Sequence, residues 1–193
     1  MGRLFDLTIG AALAMAGAAP AFASNGTAMA VENAAATLAP GRFVWSDPGT
    51  AEPVTVVISL PLQRAFVYRG ETLVAATAVS TGTDDKPTPT GIYPVLQKAE
   101  AHRSNLYDAS MPYMQRLTWD GIALHAGRDP GFPASHGCVR LPTAFAKRLF
   151  AVTKVGTTVV VTNEVLVEAK LDPELLRTEA TRANEAQMAS LVE

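Results

Sequence analysis

Runs of β-branched and apolar residues, separated by turn-forming residues, predict a series of β-strands in the middle of the chain. Residues 54–60 (VTVVISL) form one such run, which is typical of a buried strand. Residues 63–80 carry apolar runs on both sides of residues 69–70, which predicts a β-hairpin that turns there. Residues 92–98 predict another strand. Pro94 within it indicates the edge of a sheet, because proline cannot donate a ladder hydrogen bond.

A helical pattern follows further along the chain. In residues 142–152, Phe145, Leu149 and Val152 recur at helical spacing, which predicts one helix. The β-branched run at 156–163 predicts a final strand. Because most elements are extended, the pattern predicts a mainly antiparallel β fold with one helix near the end of its core.

Two stretches lack a clear period. Residues 80–91 are dense in Thr, Asp and Pro, which is typical of a loop. Residues 99–116 form a long irregular segment, and such segments in compact domains are usually functional or disordered, so we predict a lid or substrate-facing loop. Residues 117–126 predict a strand or a bent hairpin with its turn at residues 120–121.

The C-terminal segment 171–193 begins like a helix. Asp172 suits the N-cap, Pro173 the first helical position and Glu174 the positively polarised helix N-terminus. We predict a partly amphipathic helix that packs back on the domain or is solvated. A helix that binds a partner or a second copy is the alternative.

The N-terminus has the layout of a secretory signal peptide. An apolar, small-residue run at 7–19 follows Arg3, and AFA at 21–23 fits an A-x-A cleavage site. This predicts a signal peptide at 1–23 and no stable membrane span after its removal. An uncleaved anchor is the alternative, but the run is shorter than the roughly 20 residues that cross a bilayer. Residues 24–52 are Ala-, Gly- and Thr-rich and predict a flexible N-terminal arm.

Charge and cysteine content narrow the function. The formal net charge of −2 offers no electrostatic attraction to nucleic acid or to an anionic membrane surface, so we predict neither as a partner. The chain has one cysteine, Cys138. Cysteines of exported proteins usually form disulfides, but a single one cannot pair within its own chain. A reactive thiol, an intermolecular disulfide and an inert buried cysteine therefore stay open.

The neighbours of this cysteine suggest chemistry. Residues 124–142 (LHAGRDPGFPASHGCVRLP) contain Cys138 together with His125 and His136. A thiol needs a base or a positive neighbour to attack near neutral pH. His136 is two residues away, and the DPG sequence at 129–131 fits a type II turn that can fold His125 back towards Cys138. A Cys–His pair and a purely structural loop both remain compatible with this spacing.

Two further residues of the loop fit acyl transfer. Gly137 can adopt a positive φ and allow backbone N–H groups near Cys138 to form an oxyanion hole. Arg140 can bind a substrate carboxylate in bidentate fashion.

A zinc site is the rival interpretation of the histidines. His102, His125, His136 and Cys138 supply suitable ligand types, but their spacing matches no common zinc pattern. We therefore expect no metal and interpret His102 as a surface or lid residue.

The motifs also resemble a known family. SHGCVRL (135–141), with LHAG (124–127) upstream, resembles the signature of the L,D-transpeptidase catalytic domain, also called the YkuD-type domain. PTPTGIYPV (87–95) resembles the family segment ahead of the active site. The resemblance implies, for residues 53–163, a mainly β, L,D-transpeptidase-like β-sandwich or barrel-like sheet core. One helix would follow the Cys loop. The residue pattern, and not the resemblance, predicts a C-terminal helical tail at 164–193.

The resemblance implies a mechanism as well. Cys138 would attack the carbonyl of the diaminopimelate–D-Ala bond in a peptidoglycan stem tetrapeptide, and the thioester would pass to an amine acceptor. His125 matches the general base, oriented by the backbone carbonyl of Ala126. His136 matches a second histidine that supports the site. Such a relay requires no cofactor and no metal.

Other positions match the substrate side of the family. Ser135 and Arg140 fill the flanking positions, with Arg140 holding a substrate carboxylate. Tyr113 would contribute a hydroxyl from the lid, with plain aromatic packing as the alternative. Many members have a longer loop than the nine residues 126–134 that separate His125 from Ser135, which leaves the acceptor open.

The resemblance leaves several functions to distinguish. The acceptor could be a second stem, giving a 3→3 cross-link, an envelope lipoprotein, or a free D-amino acid. Water as acceptor would make the protein an L,D-carboxypeptidase or a hydrolase of peptidoglycan links. A non-enzymatic wall-binding module is the alternative of another class, although binding alone does not require a lone thiol. The signal peptide predicts a periplasmic location.

Overall fold

The computed structural model describes residues 22–104, 108–165 and 170–177. Within these residues the chain forms ten β-strands, two α-helices and one short 3₁₀ helix. The helices are α1 (Phe22–Ala36) and α2 (Thr143–Val152), and the 3₁₀ helix is Pro173–Leu176. The strands are β1 (Phe43–Trp45), β2 (Val54–Ser59), β3 (Arg64–Arg69), β4 (Thr72–Ala78), β5 (Gly91–Pro94), β6 (Gln97–Ala99), β7 (Met114–Arg116), β8 (Ala123–Ala126), β9 (Val139–Leu141) and β10 (Thr158–Thr162).

The larger sheet contains six strands in the order β1-β4-β3-β2-β10-β5. The predicted strand at 54–60 is β2, the predicted hairpin is β3–β4, and the final strand is β10, so these predictions are confirmed. β5 lies at the edge of the sheet, as Pro94 indicated. The pairing is mainly antiparallel, except that β10 runs parallel to β2.

The smaller sheet contains four strands in the order β6-β7-β8-β9. The prediction of one strand at 92–98 is wrong, because the chain leaves the larger sheet after Pro94 and enters the smaller one. The Val95 N–H donates to Thr157 beside β10, at 2.9 Å, whereas the Leu96 N–H donates to Arg116 on β7, at 2.8 Å. The consecutive N–H groups of Val95 and Leu96 thus form hydrogen bonds to different sheets.

The main core lies between the two sheets and α2. The predicted helix at 142–152 is confirmed as α2, and its Phe145 and Leu149 are fully buried there. The Phe145 ring makes edge-on contacts with Phe43 and Trp45 of β1, with centroids 5.6 and 5.4 Å apart. β1 therefore belongs to the core through its side chains as well as through its pairing with β4.

The prediction of a flexible arm at 24–52 is wrong over much of that range. α1 packs Ala28, Val31 and Ala35 onto the outer face of the larger sheet, in a cluster that includes Phe66 and Leu73. These three residues of α1 are small, so they give only a weak apolar period in the sequence although their side chains are buried. The predicted signal peptide lies mostly outside the described residues, since residues 1–21 are not among them.

The C-terminal segment is described only as far as residue 177. The Asp172 carboxylate accepts a 2.9 Å hydrogen bond from the Glu174 N–H, as expected of an N-cap, but the turn that it starts is a 3₁₀ helix. Leu171 and Leu175 join the same outer cluster as α1. The rest of the predicted helix at 171–193 lies outside the described residues. No helix among the described residues is long and apolar enough to cross a membrane.

Candidate active site

The smaller sheet presents one face to the core and the other to a cavity, because successive side chains of a strand point to opposite faces. On β8, Leu124 and Ala126 belong to the main core. Ala123 and His125 lie on the other face, where Ala123 packs in a separate small cluster with Cys138. The strand thus delivers His125 to the side on which the cysteine lies.

The loop between the two candidate catalytic residues is a crossover connection. β8 and β9 are parallel, with His125 opposite Arg140, and parallel neighbours need a connection of about a dozen residues. Residues 127–138 supply it. Gly131 has a φ of +92°, which fits the third position of the predicted type II turn. The chain folds back so that His125 and Cys138 line the same cavity of about 620 Å³.

His125 is held in one orientation and is only 8% exposed. Its Nδ1 lies 2.9 Å from the backbone oxygen of Ala126. Because a carbonyl oxygen can only accept, Nδ1 carries the proton and the neutral ring keeps its lone pair on Nε2. Burial lowers the pKa of His125 below the ordinary 6.5, and the positive charge of Arg140 lowers it further. The imidazole is therefore neutral at neutral pH.

The thiol of Cys138 is also neutral in the free protein. Burial raises its pKa above the ordinary 9.0. A backbone hydrogen bond from Ala123 and the charges of Arg140 and Arg116 act in the opposite direction but do not outweigh burial. The Sγ atom lies 3.4 Å from the carbonyl oxygen of Gly121. The cavity is therefore lined by a neutral thiol and a neutral imidazole rather than by a thiolate–imidazolium pair.

A small hydrogen-bond network fixes the backbone before the cysteine. The buried Ser135 hydroxyl donates to the carbonyl of Cys138 and accepts from the Gly137 N–H at 3.1 Å. The Thr88 hydroxyl donates to the Gly137 carbonyl at 2.8 Å. Ser135, predicted to bind substrate, thus uses its side chain to shape the loop. Sequence reasoning recognised the segment around Thr88 but missed this residue.

Gly137 is required by the backbone at this point. Its φ is +110°, and an added Cβ would lie 2.7 Å from the Ile122 side chain. Since its N–H is bonded to Ser135, Gly137 acts as a hinge and is not itself the donor of an oxyanion hole.

Of the remaining predicted site residues, His136 and Arg140 line the cavity and Tyr113 does not. His136 is exposed and lines the cavity, as does Arg140. Tyr113 is not among the lining residues, and its ring packs against Phe150 with centroids 5.8 Å apart. Tyr113 is partly buried against the main core, which favours the packing alternative.

The cavity is also lined by residues of the predicted lid and by residues that the sequence did not single out. His102, predicted to be a surface or lid residue, lines it, and so do Arg116 and the 75% exposed Trp119. The predicted lid at 99–116 includes the last residue of β6 and all of β7, and its residues 105–107 lie outside the described part of the chain. The alternation of β7 could have identified Arg116, but only once its pairing with β8 was known. Among the described residues, no group of three or more His, Cys, Asp or Glu side chains could hold a metal.

Both the sequence and the fold are similar to those of known proteins. The family model of the YkuD L,D-transpeptidase catalytic domain matches residues 53–161. A solved L,D-transpeptidase from Stackebrandtia nassauensis is 28% identical with a TM-score of 0.54, covering 58% of this chain and 57% of that chain. One from Xylanimonas cellulosilytica is 26% identical with a TM-score of 0.54, covering 60% and 63%.

A third solved structure shares the fold alone. LdtMt1 in complex with imipenem is 22% identical with a TM-score of 0.56, covering 58% of this chain and 60% of that chain. The chain thus spans only about three fifths of each of these solved chains. No protein of curated function matches the chain.

Proposed function

The chain belongs to the family of the YkuD L,D-transpeptidase catalytic domain, and from this premise we propose that it is a peptidoglycan L,D-transpeptidase with Cys138 as its nucleophile. Its substrate is the diaminopimelate–D-Ala bond of a tetrapeptide stem, and its product is a new amide to an amine acceptor. Because that substrate lies outside the cytoplasm, the protein acts in the periplasm.

The orientation of His125 is the observation that carries this proposal. Its Nδ1–H is bonded to Ala126, so the basic Nε2 is available to a proton donor in the cavity that Cys138 also lines. The lowered pKa of His125 keeps that lone pair free at neutral pH. A neutral base that lines the same cavity as a neutral thiol is suited to removing the thiol proton as attack begins.

The acylation step follows from these protonation states. Nε2 of His125 takes the thiol proton while the Sγ–C bond to the substrate carbonyl forms and the carbonyl oxygen gains the negative charge. The tetrahedral intermediate then collapses, the C–N bond breaks, and the imidazolium gives its proton to the leaving D-Ala amine. Arg140 favours negative charge at the sulfur, since its charge lowers the pKa of Cys138.

Deacylation reverses the roles. An acceptor amine loses a proton to His125 as it attacks the thioester, and the departing sulfur takes that proton back. A second stem gives a 3→3 cross-link, whereas the amine of an envelope lipoprotein gives protein attachment. Water in the same position gives hydrolysis.

The test uses purified protein and a disaccharide-tetrapeptide, with imipenem as a second probe because LdtMt1 was solved in complex with it. We expect wild-type protein to gain the mass of one imipenem at Cys138 and to form muropeptide dimers. Cys138→Ala should lose both activities by more than about 10³-fold while keeping its melting temperature. Intact-mass spectrometry and chromatography of the muropeptides measure these outcomes.

Other results have distinct meanings. If the products are shortened tripeptides without dimers, the protein is an L,D-carboxypeptidase and not a transpeptidase. Wild-type turnover by Cys138→Ala would overturn the nucleophile and leave a binding module or another chemistry.

A further inference from the structure

Arg116 lies close to the proposed nucleophile, Cys138, but takes no part in the mechanism proposed above. It is opposite Ala123 in the β7–β8 pair, and directly opposed side chains of a sheet are about 5 Å apart. Ala123 in turn packs with Cys138. The positive charge of Arg116 acts to lower the pKa of the Cys138 thiol. We propose, on the basis of the function proposed above, that Arg116 binds a free carboxylate of the stem peptide and so makes the enzyme selective for stems that carry it.

Neighbouring side chains hold the Arg116 guanidinium in place. Its Nε donates to Gln97 Oε1, the cross-strand neighbour on β6, at 3.0 Å. Its Cζ lies 5.9 Å from the centre of the Trp119 ring. These contacts use one N–H and one face of the guanidinium, and among the described residues no hydrogen bond occupies its Nη groups. A guanidinium oriented in advance loses little entropy when it binds a ligand.

The charges around the cavity favour an anionic occupant. Three arginines line it, Arg116, Arg128 and Arg140. Asp120 is the acidic residue among the described lining residues, and its carboxylate accepts from the Thr118 hydroxyl. Among the described residues, no carboxylate forms a salt bridge with Arg116. The part of the chain that the structure describes thus leaves its charge for a ligand to neutralise.

A carboxylate fits this arrangement better than a neutral group. Two parallel N–H donors of a guanidinium match the two oxygens of a carboxylate. A tetrapeptide stem offers two such groups away from the reacting bond, the α-carboxylate of its glutamate and the side-chain carboxylate of its diaminopimelate. Both sources present the same chemistry, and amidation removes the charge of either one.

The experiment compares three stems, one with both carboxylates free and two that are each amidated at one of them. Turnover is measured with wild type and Arg116→Gln. Affinity is measured by calorimetry in the unreactive Cys138→Ala background, with and without Arg116→Gln. We expect wild type to lose about 10- to 100-fold in kcat/KM and in affinity on one amidated stem, which identifies the source. Arg116→Gln should lose a similar factor on the free stem and show no further loss on that amide.

Two variants control the result. Arg148→Gln removes an arginine that also stacks on aromatic rings, Phe43 and Trp45, but does not line the cavity. It should keep wild-type selectivity. Arg116→Lys keeps the charge without the planar fork and should recover part of the affinity.

The failures of the two proposals can be told apart. Absence of turnover by wild type on every stem would count against the transpeptidase, whereas the affinities would still report on Arg116. Equal affinity of the Cys138→Ala protein for all three stems, or equal losses on all three caused by Arg116→Gln, would overturn recognition of the glutamate or diaminopimelate carboxylate by Arg116.

Discussion

At the scale of single residues, the reactivity of Cys138 tests the protonation state of the site. It is the single cysteine of the chain, so alkylation reports on it alone. Because burial raises its pKa above 9.0, we expect the alkylation rate with iodoacetamide to stay low at neutral pH and to rise with a midpoint above pH 9.0. Stopped alkylation followed by intact-mass spectrometry over pH 6–11 measures this midpoint.

The sign of this shift is checked against the unfolded chain, in which the burial is lost. In denaturant the midpoint should return towards 9.0, so the folded protein should be the less reactive form between the two values. A folded-state midpoint well below 9.0, abolished by His125→Gln, would instead indicate a preformed thiolate–imidazolium pair. His125 would then be an imidazolium in the free enzyme and not a free base.

At the scale of elements, the crossover loop is tied to the segment between α1 and β1. The two carboxylate oxygens of Asp129 accept from the Gly131 and Gly41 N–H groups, each at 2.9 Å. Asp129→Asn keeps one acceptor but presents an amide donor to the other N–H. Since both bonds are exposed, we expect a loss of about 0.5–1.5 kcal/mol, or a few degrees in Tm by calorimetry.

The matched control for Asp129→Asn is Asp85→Asn, on another exposed loop. It should leave Tm within about 1 °C, because surface substitutions away from specific contacts change stability little. If Asp129→Asn has the same Tm as wild type, the loop is held by its other contacts. One of these is the hydrogen bond that the Ser80 hydroxyl donates to the Phe132 carbonyl, at 2.9 Å.

The same scale shows what local sequence could predict. β2, the β3–β4 hairpin, α2 and β10 were predictable because each has a period or a turn signal of its own. The division of residues 92–98 between two sheets was not, because it depends on where distant strands offer acceptors to Val95 and Leu96. β9 is only three residues long and has too few positions to show an alternation.

In the candidate site, too, some residues could be predicted from the local sequence and others could not. Cys138, His125 and Gly137 could be identified as candidates from the motif, since they lie close together in the sequence. The role of Arg116 could not, because its position beside the cysteine results from the register of β7 on β8. Whether Tyr113 faces the cavity or packs could not be decided from residue type, because its contact with Phe150 on α2 depends on the tertiary fold.

At the scale of the whole molecule, the folded unit extends beyond the family match, which begins at residue 53. α1 covers the outer face of the larger sheet, and its Ala-rich stripe gave too weak a period to reveal this. β1 extends that sheet and supplies two aromatic contacts to Phe145. Residues 28–45 therefore belong to the folded unit and are not a linker.

Truncation tests this boundary by comparing chains 24–193, 37–193 and 53–193. Loss of α1 removes the fully buried Val31, worth about 1.5–3 kcal/mol on the scale for buried aliphatic side chains. Loss of β1 as well removes a strand and two aromatic pairs of about 0.5–1.5 kcal/mol each. We therefore expect Tm to fall at each step, measured by calorimetry, with the second step also removing the Gly41 contact to Asp129. A 53–193 chain as stable as 24–193 would mean that the domain ends at residue 53 and that α1 and β1 add nothing to its stability.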